Sequence, residues 1–127
     1  MYYFASTDGM VPTANDPVMA QICDLFRQAG VVANCSGFFY TTFSVWLVVQ
    51  EPQRLELVTK WLYPDVARHY GTNGKAVITG IRRIIADLWE KDPARLARWA
   101  GCQMTRRPTP TEFLGIVASR VRESLSE

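Results

Sequence analysis

Residues Leu62–Trp89 read LYPDVARHYGTNGKAVITGIRRIIADLW, and this stretch decides the fold. Proline cannot continue a helix without a kink but is well suited to start one, so Tyr63-Pro64 marks a joint. A short helix Pro64–Tyr70 follows and stops at a tight Gly71-Thr72-Asn73 turn. A longer helix then runs from about Gly74 to Trp89. Its apolar residues Val77, Ile81, Ile84, Ile85, Leu88 and Trp89 fall at i, i+4, i+7, i+8, i+11 and i+12, one face of an amphipathic helix. Short helix, glycine-containing turn and longer amphipathic helix together make a helix-turn-helix pattern.

Upstream, Glu51-Pro52 is expected to start a helix that buries Leu55, Val58 and Leu62. Residues 36–50 are rich in aromatic and β-branched side chains, which favour strand by propensity. Phe39, Phe43, Trp46 and Gln50 share one helical face, however, Ser36 is available as a cap, and the run is long for a strand. It is therefore read as a helix, since burial overrides propensity. No charged side chain occurs from Gln28 to Gln50, a length sufficient in principle to span a bilayer. Asn34, Ser36, Gly37, Thr41, Thr42 and Ser44 interrupt it, and a buried core helix is expected instead of a membrane span. Asp16-Pro17 pairs an N-cap with a proline at the first helical position, Met19, Ile22, Cys23 and Phe26 follow at helical spacing, and Gly30 ends that helix. Residues 1–15 read as an N-terminal tail and 16–127 as the domain.

Downstream, Asp92-Pro93 caps a short helix that packs Leu96 and Trp99 and stops at Gly101. Residues 102–108 form a loop or a small extended pair. Thr109-Pro110-Thr111-Glu112 is a capping box, and the last helix carries Phe113, Leu114, Ile116, Val117 and Val121. The expected fold is all-α, a compact bundle of about six helices around a central helix-turn-helix. A chain of 127 residues with 48% hydrophobic and 20% charged residues fits one such domain.

The net charge of +2 is mild, but its distribution is uneven. Residues 60–107 hold ten Lys and Arg against four Asp and Glu, whereas residues 1–59 hold two against five. A contiguous basic stretch is the electrostatic footprint of nucleic-acid binding, and equally describes a solvated charged face. Cys23, Cys35 and Cys102 are widely spaced and form no zinc-ligand pattern, which points to a reducing, cytoplasmic setting without a structural metal. The N-terminus has no basic region followed by an apolar core, so no secretion signal is expected.

In a helix-turn-helix the second helix places its N-terminal solvent face in the major groove, where base pairs are distinguishable. The corresponding positions are Asn73, Lys75, Ala76, Ile78 and Thr79, with Arg82 and Arg83 one turn on. Thr72 and Lys75 near the helix N-terminus, and Arg68 on the bracing helix, read as phosphate contacts. Arg106 and Arg107 either reach the backbone from their loop or are only solvated. Arg82 and Arg83 are either groove-facing cations or surface charges paired with Asp87. Ile78 either faces the groove, covers a protein partner or belongs to the core.

Catalysis is not supported. The sole histidine, His69, lies on the short bracing helix, and no nucleophile, base and orienting group are grouped. Gly71-Thr72-Asn73-Gly74-Lys75-Ala76 is too short for a phosphate loop, and Ala76 lacks the hydroxyl that holds magnesium. No cofactor is expected.

The run Leu62-Tyr63-Pro64-Asp65-Val66-Ala67, then Tyr70, Thr72, Val77, Ile81-Arg82, Ile85 and Trp89, resembles the C-terminal DNA-binding effector domain of the sporulation-initiation master response regulator family of endospore-forming Firmicutes. Gly30-Val31, Ala33, Gly37 and Tyr40 are similar to its second-helix region. Pro108-Thr109, Glu112-Phe113 and Val117-Ala118 are similar to its last helix. The resemblance covers roughly residues 16–125. It implies an all-α transcription factor that binds short boxes in double-stranded DNA as a tandem homodimer, and that contacts RNA polymerase sigma factor through the region matching Glu90–Trp99. Two departures matter. The family carries a phosphoacceptor receiver domain, and the roughly 15 residues before the matching region are too few to form one. Control is therefore expected to be constitutive, or through abundance or a partner. The family also places arginines and a glutamate at the positions of Ala76, Ile78 and Thr79, none of which makes a bidentate guanine contact. Arg82 keeps a family arginine and Arg83 replaces a histidine. Phosphate attraction is thus expected to survive while the family's sequence reading is lost. The alternative is a degenerate helix-turn-helix that serves as a protein-interaction module, docking on a sigma factor or on a full-length regulator.

Overall fold

The computed structural model describes residues 11–31, 33 and 35–126, and among them six α-helices and no strand. The helices are α1 (Pro17–Gln28), α2 (Ser36–Gln50), α3 (Tyr63–Tyr70), α4 (Gly74–Lys91), α5 (Pro93–Ala100) and α6 (Pro110–Ser126). The fold is the expected all-α bundle. Of the expected tail, residues 1–10 lie outside the described residues. The 102–108 segment is a loop rather than an extended pair.

Helix starts follow local capping chemistry. Asp16 accepts from the backbone N–H groups of Val18 (2.9 Å) and Met19 (3.0 Å), which relieves two of the unpaired donors of α1. The same carboxylate oxygen accepts from Trp46 Nε1 at 3.1 Å, so one cap also ties α1 to α2. Asp92 caps α5 through Arg95 N at 3.1 Å. At α6 the capping box is reciprocal: Thr109 N donates to Glu112 Oε1 at 2.9 Å and Glu112 N donates to Thr109 Oγ1 at 3.2 Å.

α2 is the centre of the bundle. It is apolar on nearly every side and contacts α1, α3, α4 and α6, with Gly37, Phe38 and Thr41–Val48 all buried. A helix surrounded by other helices needs no polar face, which explains how a strand-like composition forms one. Ser44 Oγ donates to the Tyr40 carbonyl at 2.6 Å and satisfies its own hydroxyl inside the core. Ser36 is the first helical residue rather than the cap; Cys35 holds the N-cap position, without a side-chain cap bond.

The expected helix after Pro52 is not α-helical. Pro52–Glu56 forms a 3-10 turn and Val58–Leu62 a π turn, separated by Leu57 at φ −138° and ψ 49°. Leu62 is buried as expected, but Leu55 and Val58 are only half-buried. The segment also buries a charged residue completely, Arg54. Its Nε donates to Glu51 at 2.9 Å, its Nη1 to Asp65 at 3.1 Å, and its guanidinium lies 4.8 Å from the centroid of the Trp61 ring. Turning Arg54 inward toward Asp65 and Trp61 is incompatible with a regular α stripe through Leu55, Val58 and Leu62. A buried charge must find partners, and that requirement overrides the apolar periodicity.

Candidate nucleic-acid interface

α3 ends at Gly71, whose φ of 67° places it in the left-handed region that glycine enters without steric penalty. Thr72 N then donates to the Ala67 carbonyl at 2.9 Å and closes the turn. Asn73 starts α4, its side chain accepting from Ala76 N at 2.9 Å. Asn73 is thus already occupied as a cap. Val77, Ile81, Ile84, Ile85 and Leu88 are buried along the inner face of α4, and Trp89 is half-buried.

The seat of α4 is set by two glycines. A Cβ added to Gly37 of α2 would stand 2.8 Å from the Gly80 carbonyl oxygen, and one added to Gly80 would stand 3.0 Å from Gly37 Cα. The two helices therefore cross backbone against backbone, close to the second turn of α4. Ridge-and-groove packing between ordinary side chains would hold the axes farther apart.

On the outer face, Lys75, Thr79, Arg82 and Arg83 are exposed at i, i+4, i+7 and i+8, one stripe along the solvent side. Ala76 and Ile78 flank it and are half-buried, and Ile78 packs against the core. Two grooves, each of about 340 Å³, run beside the front of the helix. One is bordered by Ser36 and Tyr40 of α2 with Lys75, Ala76, Thr79 and Arg83. The other is bordered by Thr59 and Tyr63 with Lys75, Ile78, Thr79 and Arg82. Lys75 and Thr79 line both and form the crest between them. Neither lining contains an Asp or Glu. Asp87, the acid nearest in sequence, is paired with Lys91 at 3.1 Å. Among the described residues Lys75, Arg82 and Arg83 form no ion pair.

Other expected contacts lie elsewhere or are engaged. Arg68 is exposed and paired with Asp65, the acid that also holds Arg54. Thr72 is half-buried in the turn. Arg106 makes a bidentate pair with Glu112, at 2.9 and 3.0 Å, and donates to the Arg107 carbonyl at 3.2 Å. This fastens the 102–108 loop to the start of α6, and Arg106 borders a different cavity, with Cys102 and Met104. Arg107 is exposed on the same loop. The Arg106 pair and the Thr109 N–H hold the Glu112 carboxyl down at about 2. His69 is exposed, its ring 4.5 Å from that of Phe43.

Ser36, Tyr40, Thr59 and Tyr63 are groove residues that the linear pattern does not single out. Gly37 and Gly80 were the available signal, since a glycine inside an apolar helix marks a close approach. Burial pushes the Tyr63 hydroxyl up, while a hydrogen bond with Thr111 and the charge of Arg82 act in the opposite direction.

A short bracing helix, a left-handed glycine turn and a long helix with a cationic, acid-free front define a helix-turn-helix domain of the DNA-binding regulatory class. The family described as sporulation initiation factor Spo0A C terminal matches residues 22–121, and the chain belongs to that family. The family is one of DNA-binding effector domains of transcription regulation in sporulation, not of catalysts. No helix among the described residues is long and apolar enough to cross a membrane.

Proposed function

We propose that this domain regulates transcription by binding double-stranded DNA with the front of α4 in the major groove. The supporting observation is the exposed Lys75, Thr79, Arg82 and Arg83 stripe, flanked by two grooves without an acid. Lys75, Arg82 and Arg83 neutralise phosphates, Thr79 meets base edges and Ile78 offers its partly exposed methyl surface to thymine methyls. Thr72 and Asn73 lie against the backbone at the turn, and Arg68 reaches it from α3 only on leaving Asp65. The α4 front is formed and uncovered among the described residues, so binding by this domain needs no phosphoryl-driven rearrangement of that face. Glu90 and Lys91 at the end of α4 and Arg98 in the last turn of α5, all exposed, make up the surface proposed to meet a sigma factor. A homodimer on tandem boxes remains part of this reading. The competing protein-interaction role rests on the apolar Ile78 and on Ala76 in place of an arginine; Ile78 packs partly against the core and so offers a protein partner less surface.

The test is duplex binding across a salt series with Arg82→Ala and Arg83→Ala combined. Each lost phosphate contact flattens the slope of log K against log salt by about 0.9, so the pair should lose about 1.8. Binding equal to wild type at every salt concentration would remove α4 from the interface.

A further inference from the structure

We propose that the groove between α2 and α4 seats a phosphate of the DNA backbone, held by the hydroxyls of Ser36 and Tyr40 together with Lys75 and Arg83. The proposal rests on the DNA-binding reading and adds a second helix to the contact surface. Ser36 and Tyr40 border the same groove of about 340 Å³ as Lys75 and Arg83. Among the described residues neither hydroxyl has a hydrogen-bond partner. The α2 side therefore combines two cations, two open donors and no acid, which is a donor set suited to an anionic oxygen.

The Tyr40 ring is also fixed in place. A Cβ on Gly80 would stand 2.9 Å from Tyr40 Cδ2, so the ring rests in the space that residue 80 leaves vacant. On another side the Tyr70 ring lies at 5.4 Å, and the Tyr70 hydroxyl is itself occupied, donating to the Phe39 carbonyl at 3.4 Å. Neighbours thus limit the motion of Tyr40, and its hydroxyl loses little entropy when it engages a ligand. Because Lys75 lines both grooves, a phosphate seated beside Tyr40 lies directly alongside the crest that faces the bases.

The experiment combines Ser36→Ala with Tyr40→Phe, which keeps the ring against Gly80, and measures binding to a short mixed-sequence duplex over a salt series. Affinity should fall about tenfold, as charge-assisted hydrogen bonds are lost, with no change in salt slope because no cation is removed. Arg83→Ala should instead flatten the slope by about 0.9. The backbone amide resonances of Ser36, Gly37 and Tyr40 in the wild-type chain should move on titration with the same duplex. Wild-type affinity in the double variant, or amide shifts confined to α3 and α4, overturns the α2 subsite and leaves the α4 reading intact. A wild-type chain that binds no duplex overturns both.

Discussion

Arg54 and the Arg82–Arg83 pair are the same residue type in opposite surroundings. Arg54 is fully buried, held by Glu51 and Asp65 and covered by Trp61. Arg82 and Arg83 stand exposed on α4 without an ion pair among the described residues. The comparison shows that a count of cations along the chain does not measure the cations available to a polyanion. Of the ten in residues 60–107, Arg68, Lys91, Arg95 and Arg106 are all committed to nearby carboxylates. Those four are tied up locally, and of the cations that remain, Lys75, Arg82 and Arg83 share the front of one helix while Arg98 and Arg107 stand apart on α5 and the 102–108 loop.

The largest effect expected from this contrast is on stability. Arg54→Met leaves Asp65 in the interior with only Arg68 as a partner, and breaking a buried pair from one side costs about 3–5 kcal/mol. Urea denaturation would measure it; a loss below about 1 kcal/mol would mean that Arg54 is solvated in solution. Next is Gly37→Ala, which drives a methyl group against the Gly80 backbone and should cost about 1–3 kcal/mol through overpacking. An unchanged denaturation midpoint would show that the α2–α4 crossing is wider than described. Arg82→Ala with Arg83→Ala should behave in the reverse manner, weakening duplex binding while stability stays within about 0.5 kcal/mol. A large stability loss there would erase the distinction between the two regions. The smallest effect concerns Glu112. Its carboxyl is held below the usual value of 4.5, at about 2, first by the Arg106 hydrogen bond. A depressed carboxyl contributes stability above its unfolded value, so the clamp is complete above about pH 4.5 and is lost as pH falls through about 2. Glu112→Gln should remove part of the acid dependence of the denaturation midpoint in that window. An identical acid profile for variant and wild type would assign the dependence to other carboxyls.

Most of the fold was legible because helix ends are decided locally. Asp16-Pro17, Gly71 with Asn73, Asp92-Pro93 and Thr109 with Glu112 each place a cap or a stop within a few residues, and the structure uses every one of them. The 51–62 segment was not legible, because its geometry answers to Asp65, a partner outside the segment. Of the candidate site, the α4 stripe followed from helical periodicity. The engagement of Arg106 by Glu112, and the α2 wall of the groove, depend on which elements meet in three dimensions. Ile78 shows the same limit on a smaller scale: one position beside the solvent stripe, it turns far enough to pack against the core.

The glycine crossing of α2 and α4 has a consequence for how the recognition surface can change. The Gly37 and Gly80 backbones, with the Tyr40 ring beside them, set the height of α4 there, so substitutions at 75, 79, 82 and 83 alter what the helix presents without lifting or rotating it. Target preference can be rewritten by exchanging outward side chains while the scaffold beneath them keeps its shape.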